Sequence, residues 1–107
     1  MEKFLFYSNA TNDTTCMPAY RLVEMHMTSS TALSLNHRMY DSDVVGSDEE
    51  YTVSLTVTVN TGEKVMKTIS NAINSGKNGF IVIADDLNKE YIDNDITEIS
   101  TGLDDIG

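Results

Sequence analysis

The sequence predicts an α+β domain: a mostly antiparallel sheet of about five to six strands, with one helix over about residues 62–75 packed on one face. Three observations carry this. Tyr51, Val53, Leu55, Val57 and Val59 alternate with Thr52, Ser54, Thr56 and Thr58, a period of two in β-branched types that marks a half-buried strand. Val65, Met66, Ile69, Ala72 and Ile73 then recur at helical spacing between Gly62 and Gly76. Early hairpin-like segments with a single helical stripe favour an antiparallel sheet over a repeated strand-helix unit.

From the N-terminus, Lys3 to Ser8 reads as a short strand ahead of a polar stretch, Ser8 to Thr15. Pro18 sits just before the next strand, where its missing donor does little harm. Arg21–Thr28 and Ala32–Met39 form the following pair. A loop with an odd number of residues, centred on Ser30, sets Met27 opposite Leu33, Met25 opposite Leu35 and Val23 opposite His37. Glu24, His26, Ser34, Asn36 and Arg38 then share the other face. A two-residue turn opposes Met25 to Ser34 instead, because a one-residue slip inverts every side chain, so the odd loop is expected.

Tyr40 to Glu50 is an acidic loop expected to be mobile. Asn60 or Thr61 is the expected helix cap, with Glu63 favourable in the first turn and Gly62 serving the approach. Phe80-Ile81-Val82-Ile83 is a short, continuous apolar strand. If the strands flanking the helix are parallel neighbours, their crossover is right-handed; strand order is otherwise open. Asp85 to Asp95 reads as a second acidic loop, Ile96–Ser100 as a last short strand, and residues 101–107 as a flexible tail.

At 107 residues the chain is expected to be a single domain, 1–107, with one modest core. A lone cysteine, Cys16, excludes an internal disulfide framework and a cysteine-based zinc cluster. Glu2 and Lys3 precede only four apolar or aromatic residues, so no secretory signal is read, and synthesis in a reducing cytosol is expected. No apolar run approaches the roughly 20 residues of a spanning helix. The net charge of −10 arises entirely within residues 41–107, where fourteen acids face four lysines. Such a surface repels phosphate backbones and anionic lipid, so nucleic acid and membrane are not expected as partners. Solubility is the plain reading of this charge; docking to a basic partner is the sharper one.

No reactive constellation emerges. His26 and His37 fall on opposite faces of their hairpin, and His37 reads as a satisfied core or edge histidine. Cys16 has no base nearby to lower its pKa. No serine sits in a nucleophile elbow. Asp85, Asp86, Asn88 and Glu90, then Asp93, Asn94, Asp95 and Glu98, offer oxygen ligands without the spacing of a calcium loop. Asp85, Asp86, Glu90 and Asp95 are thus only weak metal candidates; a solvated acidic loop is preferred, and no cofactor is expected. Gly62 is no phosphate cradle, since Glu63 repels an anion. The six methionines read as adaptable core filler. Phe4, Phe6 and Tyr7 are candidate partner anchors, with core packing as the competing reading. Asp48, Glu49 and Glu50 are the candidate acidic contact.

Glu2-Lys3-Phe4-Leu5-Phe6-Tyr7, Gly62-Glu63-Lys64-Val65-Met66 with Ile69 to Ile73, Gly79-Phe80-Ile81-Val82-Ile83-Ala84-Asp85-Asp86, Glu90-Tyr91-Ile92 and Asp95-Ile96-Thr97 together resemble small virion-associated structural proteins of tailed phages, notably marine cyanophages. The resemblance spans nearly the whole chain but rests on apolar and turn residues, with no catalytic motif to carry over. It implies a non-enzymatic capsid decoration or cement protein, made in the host cytoplasm and carried on the virion. Its implied partners are the major capsid or other virion proteins, met as a homo-oligomer or symmetric array. The competing expectation is a small acidic binding module that docks a basic partner.

Overall fold

Alternation along the strands sorts their side chains into two sheets with a shared interior. The computed structural model describes residues 3–10, 13–38, 49–75 and 79–105. The elements are β1 (Phe4–Ala10), β2 (Asp13–Pro18), a 3-10 turn (Ala19–Arg21), β3 (Leu22–Ser29), β4 (Ala32–Arg38), β5 (Glu49–Val57), α1 (Gly62–Ser75), β6 (Phe80–Asp85), β7 (Glu90–Tyr91) and β8 (Ile96–Asp105). One sheet has the order β2-β1-β6-β7 and the other β3-β4-β5-β8. Every pairing is antiparallel except β1 with β6. The α+β class, the single helix and the mostly antiparallel pairing therefore hold for the described residues.

Layering and strand count differ from expectation: eight strands form two sheets, where five or six in one sheet were expected. The polar stretch Ser8 to Thr15 holds the end of β1 and the first half of β2, a strand whose inward side offers one buried large apolar residue, Met17. The expected tail is also corrected for residues 101–105, which extend β8 along β5 as far as Asp105 opposite Glu49. The strands flanking α1 are not neighbours. The helix carries the chain from one sheet to the other, so β6 finds its parallel partner in β1. Of the loop expected to be mobile, Tyr40 to Glu50, residues 40–48 lie outside the described residues, and Glu49 and Glu50 open β5 instead.

The β3-β4 hairpin keeps the expected pairs Met27↔Leu33 and Met25↔Leu35 by another route. Ser29 pairs with Ala32, which closes a two-residue turn, and an irregularity between Met27 and Ser29 restores the apolar register. A second irregularity, between Leu22 and Glu24, sets Leu22 rather than Val23 opposite His37 and leaves Val23 55% exposed. A bulge inserts one residue, and one residue is what an even turn needs to mimic an odd one.

Leu5, Ile81 and Ile83 from the first sheet meet Leu33, Leu35, Val53 and Leu55 from the second. Val65 and Ile69 of α1 complete the same core. The helix starts where Thr61 C=O accepts the Val65 N–H at 3.0 Å. Thr61 Oγ1 donates back to Thr58 C=O at 2.6 Å instead of capping, and Asn60 takes φ 67° in the preceding turn. Gly62 lets the Met27 side chain lie close: a Cβ there would meet it, with Cγ at 2.9 Å, and the methionine would have to shift. Near the other end, Lys3 Nζ donates to Ala72 C=O at 3.0 Å.

A polar tie crosses this interior. Tyr7 on β1 and His37 on β4 are both fully buried, with the Tyr7 hydroxyl 2.7 Å from His37 Nε2. His37 Nδ1 lies 2.9 Å from the Tyr51 carbonyl, which only accepts, so Nδ1 carries the proton and Nε2 accepts from Tyr7. The Tyr51 hydroxyl meets Thr15 Oγ1 of β2 at 3.0 Å, a second link between the sheets. Burial lowers the His37 pKa, against a smaller upward pull from its hydrogen bonds to the Tyr51 and Leu35 backbone. Burial, and then Tyr51, push the Tyr7 phenol well above its ordinary value.

Two outcomes follow from this tie. Tyr7→Phe leaves Nε2 without its donor and should cost about 1–3 kcal/mol in urea unfolding at neutral pH. Neutral His37 is the folded species, while the unfolded imidazole protonates near its ordinary 6.5. Stability should therefore be full above that pH and fall as acidification proceeds through the lower folded-state value. Urea midpoints that stay flat from about pH 8 to about pH 5 would contradict the assignment.

Candidate protein-docking face

On β1, Leu5 and Tyr7 point inward, so strand alternation turns Phe4 and Phe6 outward. On β6, Ile81 and Ile83 are inward and Phe80 and Val82 outward. The parallel register pairs Phe4 with Phe80 and Phe6 with Val82, which brings the four onto one patch of the outer surface. The Phe6 and Phe80 rings lie 5.3 Å apart at an interplanar angle of 42°, an ordinary aromatic contact. β2 adds Pro18 opposite Phe4 and the exposed Cys16 opposite Phe6. Phe4 remains 37% exposed and Phe80 55%. Single exposed apolar residues are ordinary on a protein surface; here two exposed rings and two half-buried apolar side chains stand together on one sheet face.

The other sheet presents a different exterior. Its cross-strand rows run His26↔Ser34↔Ser54↔Ser100 and Glu24↔Asn36↔Thr52. Asn36 organises them: Nδ2 donates to Glu24 Oε1 at 2.6 Å, while Oδ1 accepts from Ser34 Oγ at 3.2 Å and Thr52 Oγ1 at 3.1 Å. His26 Nδ1 completes the group, 3.3 Å from the same Glu24 oxygen. The outer surface of one sheet is thus aromatic and that of the other hydroxyl- and amide-rich.

The aromatic patch continues past Val82 into an open cleft of about 640 Å³ whose walls include Glu90, Tyr91, Asn94, Ile96 and Thr97. The acids around it are largely engaged by their own chain. Asp85 Oδ1 accepts the Leu87 and Asn88 N–H groups at 3.0 and 3.2 Å, and Oδ2 accepts Asn88 Nδ2 at 2.8 Å. Lys89, at φ 57°, sits in the left-handed conformation at the end of this turn. Asp86 accepts the Tyr91 hydroxyl at 2.6 Å and the Ile99 N–H at 3.4 Å, which ties the turn to β8. That hydrogen bond, followed by burial and the charges of Asp86, Glu98 and Asp85, pushes the Tyr91 phenol up to about 12.

Asp93, with its side chain 4% exposed, anchors α1. It accepts the Asp95 N–H at 2.9 Å, Lys64 Nζ at 3.0 Å and the Thr68 hydroxyl at 2.9 Å. Lys64 also bridges Asp95 at 2.7 Å. Burial works to raise the Asp93 pKa, but the Asp95 N–H, Lys64 and Thr68 outweigh it and hold the carboxyl below its usual range. The weak metal candidates Asp85, Asp86 and Asp95 thus aim oxygens at internal donors, and Glu90 is exposed on β7. Among the described residues no group of three or more His, Cys, Asp and Glu side chains is placed to hold a metal ion.

Of the anchors expected from the sequence, Phe4 and Phe6 stand on the aromatic face. Tyr7 does not: alternation carries it into the core, where its hydroxyl is bonded to His37. Asp48 lies outside the described residues, and Glu49 and Glu50 are placed by backbone alone, opposite Asp105 and Asp104. Cys16 stands on β2. Sequence reasoning missed Phe80 and Val82, because a continuous apolar run conceals which alternate residues face out. Comparison with family models, curated proteins and solved structures gives no match.

Asp93→Ala removes the acceptor shared by the helix and the 93–95 turn, and should lower unfolding stability by about 1–3 kcal/mol in a denaturant titration. Asp86→Asn should bring the Tyr91 phenol back toward its ordinary 10.0 in an NMR-detected alkaline titration.

Proposed function

We propose that this chain is a non-enzymatic protein-docking subunit, and that its contact surface is the outer face of the β2-β1-β6 sheet. The observation that carries the reading is the outward cluster of exposed Phe4 and Phe80 with half-buried Phe6 and Val82, set on paired strands whose opposite side is locked into the core. Aromatic residues on a rigid scaffold lose little freedom on contact, which is why they dominate interface energetics. The histidines offer nothing in competition. His37 commits both ring nitrogens inside the core, and His26 pairs with Glu24 on the opposite exterior. The virion setting, as a capsid decoration or cement protein repeated over a symmetric shell, rests on the resemblance described above. Many copies would then act through individually weak contacts.

A second reading is favoured by one observation, the concentration of the whole −10 charge in residues 41–107. It makes the chain an acidic module that docks a basic partner. The two readings part on salt, since exposed charge attraction is screened and apolar contact is not.

The test is quantitative mass spectrometry of density-purified particles of the encoding phage. A copy number near a symmetric shell complement is the expected result; absence from clean particles overturns the virion setting. Phe4→Ser combined with Phe80→Ser alters exposed positions, so the melting temperature should move by only a few degrees while particle binding falls at least about tenfold. Undiminished binding would remove this face from the model, and binding that collapses with added salt would favour the acidic module.

A further inference from the structure

The edge of β6 changes character along its length. Phe4 N–H donates to the Gly79 carbonyl at 2.7 Å, so the peptide groups of Gly79 and Ile81 turn toward β1. Successive peptide groups of a strand face opposite ways, so those of Phe80 and Val82 are directed to the other edge. There β7 is only two residues long and pairs with Ala84 and Asp85. Ile92 N–H, bonded to the Ile83 carbonyl at 3.0 Å, extends the pairing by one step. Among the described residues no strand pairs with Phe80–Val82 on this side. The cleft of about 640 Å³ begins at Val82, beside this edge.

The chemistry around the cleft is acidic. Glu90 lines it, Asp86 is bonded to its wall residue Tyr91, and Glu98 acts on the same phenol, with Lys89 as the basic lining residue. Half-buried Val82 and Tyr91 add apolar surface. We propose that the β6 edge at Phe80–Val82 accepts an extended, cationic segment of a partner protein as an added strand, with apolar side chains against Phe80 and Val82 and cationic ones toward Glu90 and Glu98. Main-chain pairing supplies affinity in such an arrangement, and alternate side chains supply selectivity. Charge argues against a second copy as the occupant, since each chain carries −10 and like-charged partners repel. The inference rests on the docking reading above and narrows it to one edge and one partner chemistry.

The probe is an acetylated, amidated hexapeptide of alternating lysine and valine, titrated into the full chain with amide chemical shifts recorded. Binding is expected to shift the Phe80, Ile81 and Val82 amides. The same peptide N-methylated on alternate amides keeps its charge and side chains but cannot pair, and should bind at least about tenfold more weakly. Glu90→Lys, at an exposed position, should weaken the parent peptide by a similar factor. Equal binding by both peptides would leave charge attraction alone and overturn the added strand, as would no binding. Self-association of the protein that shifts the same amides would assign the edge to a second copy and also overturn the proposal. If the peptide fails while Phe4→Ser with Phe80→Ser still abolishes docking, the aromatic face stands and only the strand addition falls.

Discussion

The hydrogen bond between Tyr7 and His37 sets the orientation on which both surfaces of the molecule depend. A buried phenol needs a partner for its hydroxyl, and a buried imidazole needs partners for both nitrogens. Here each satisfies the other across the interior, while the Tyr51 carbonyl takes the second nitrogen. With Tyr7 held inward, alternation leaves no freedom: Leu5 is inward, and Phe4 and Phe6 must face out. The parallel register then passes the same choice to β6, where Ile81 goes in and Phe80 and Val82 stay out. The aromatic face is the obligatory other side of a polar tie in the core.

Much of this was legible from pattern alone. The alternation of β5 and the stripe of α1 are strong because each buries one side and leaves the other wet, and the helix runs from Gly62 to Ser75 as read. Two apolar pairs of the β3-β4 hairpin were legible for the same reason. The rest was hidden where the signal is not local. β2 exposes Thr14 and Cys16 and buries only Met17, so it looks like loop until β1 supplies its partner. The even turn was concealed by a compensating bulge, which preserves the outcome that register reasoning tests. The assignment of Phe4, Phe6 and Tyr7 as a block failed for Tyr7 because neighbours in a strand share sequence but not a face.

The acidity of the chain is also less uniform in role than its composition implies. Asp85, Asp86 and Asp93 lie within nine residues of one another, and each accepts at least one backbone N–H. These carboxylates shape turns and fasten elements: Asp85 the turn before β7, Asp86 that turn to β8, Asp93 the helix to the turn before β8. A charged acceptor forms shorter and stronger hydrogen bonds than a neutral one, which suits short loops with few backbone partners of their own. Of the acids around the cleft, Glu90 and Glu98 are the ones left to solvent.

A two-sheet protein of this size has several strand edges to protect, and the means differ from edge to edge. β2 ends on Pro18, which has no N–H to offer. β3 carries two register irregularities, which twist and interrupt its free side. β8 has the Ile99 N–H taken by a carboxylate from the neighbouring sheet, a side-chain cap on a strand edge. The first half of β6 has none of these devices among the described residues: no proline, no charge and no bulge before Val82, but a phenylalanine and a valine facing out. Protection at Pro18, along β3 and at Ile99, and its omission beside an apolar, acid-rimmed cleft, are opposite solutions to the same edge problem. The unprotected edge lies on the strand that also carries half of the aromatic cluster, so backbone pairing and aromatic contact would engage one partner from one direction.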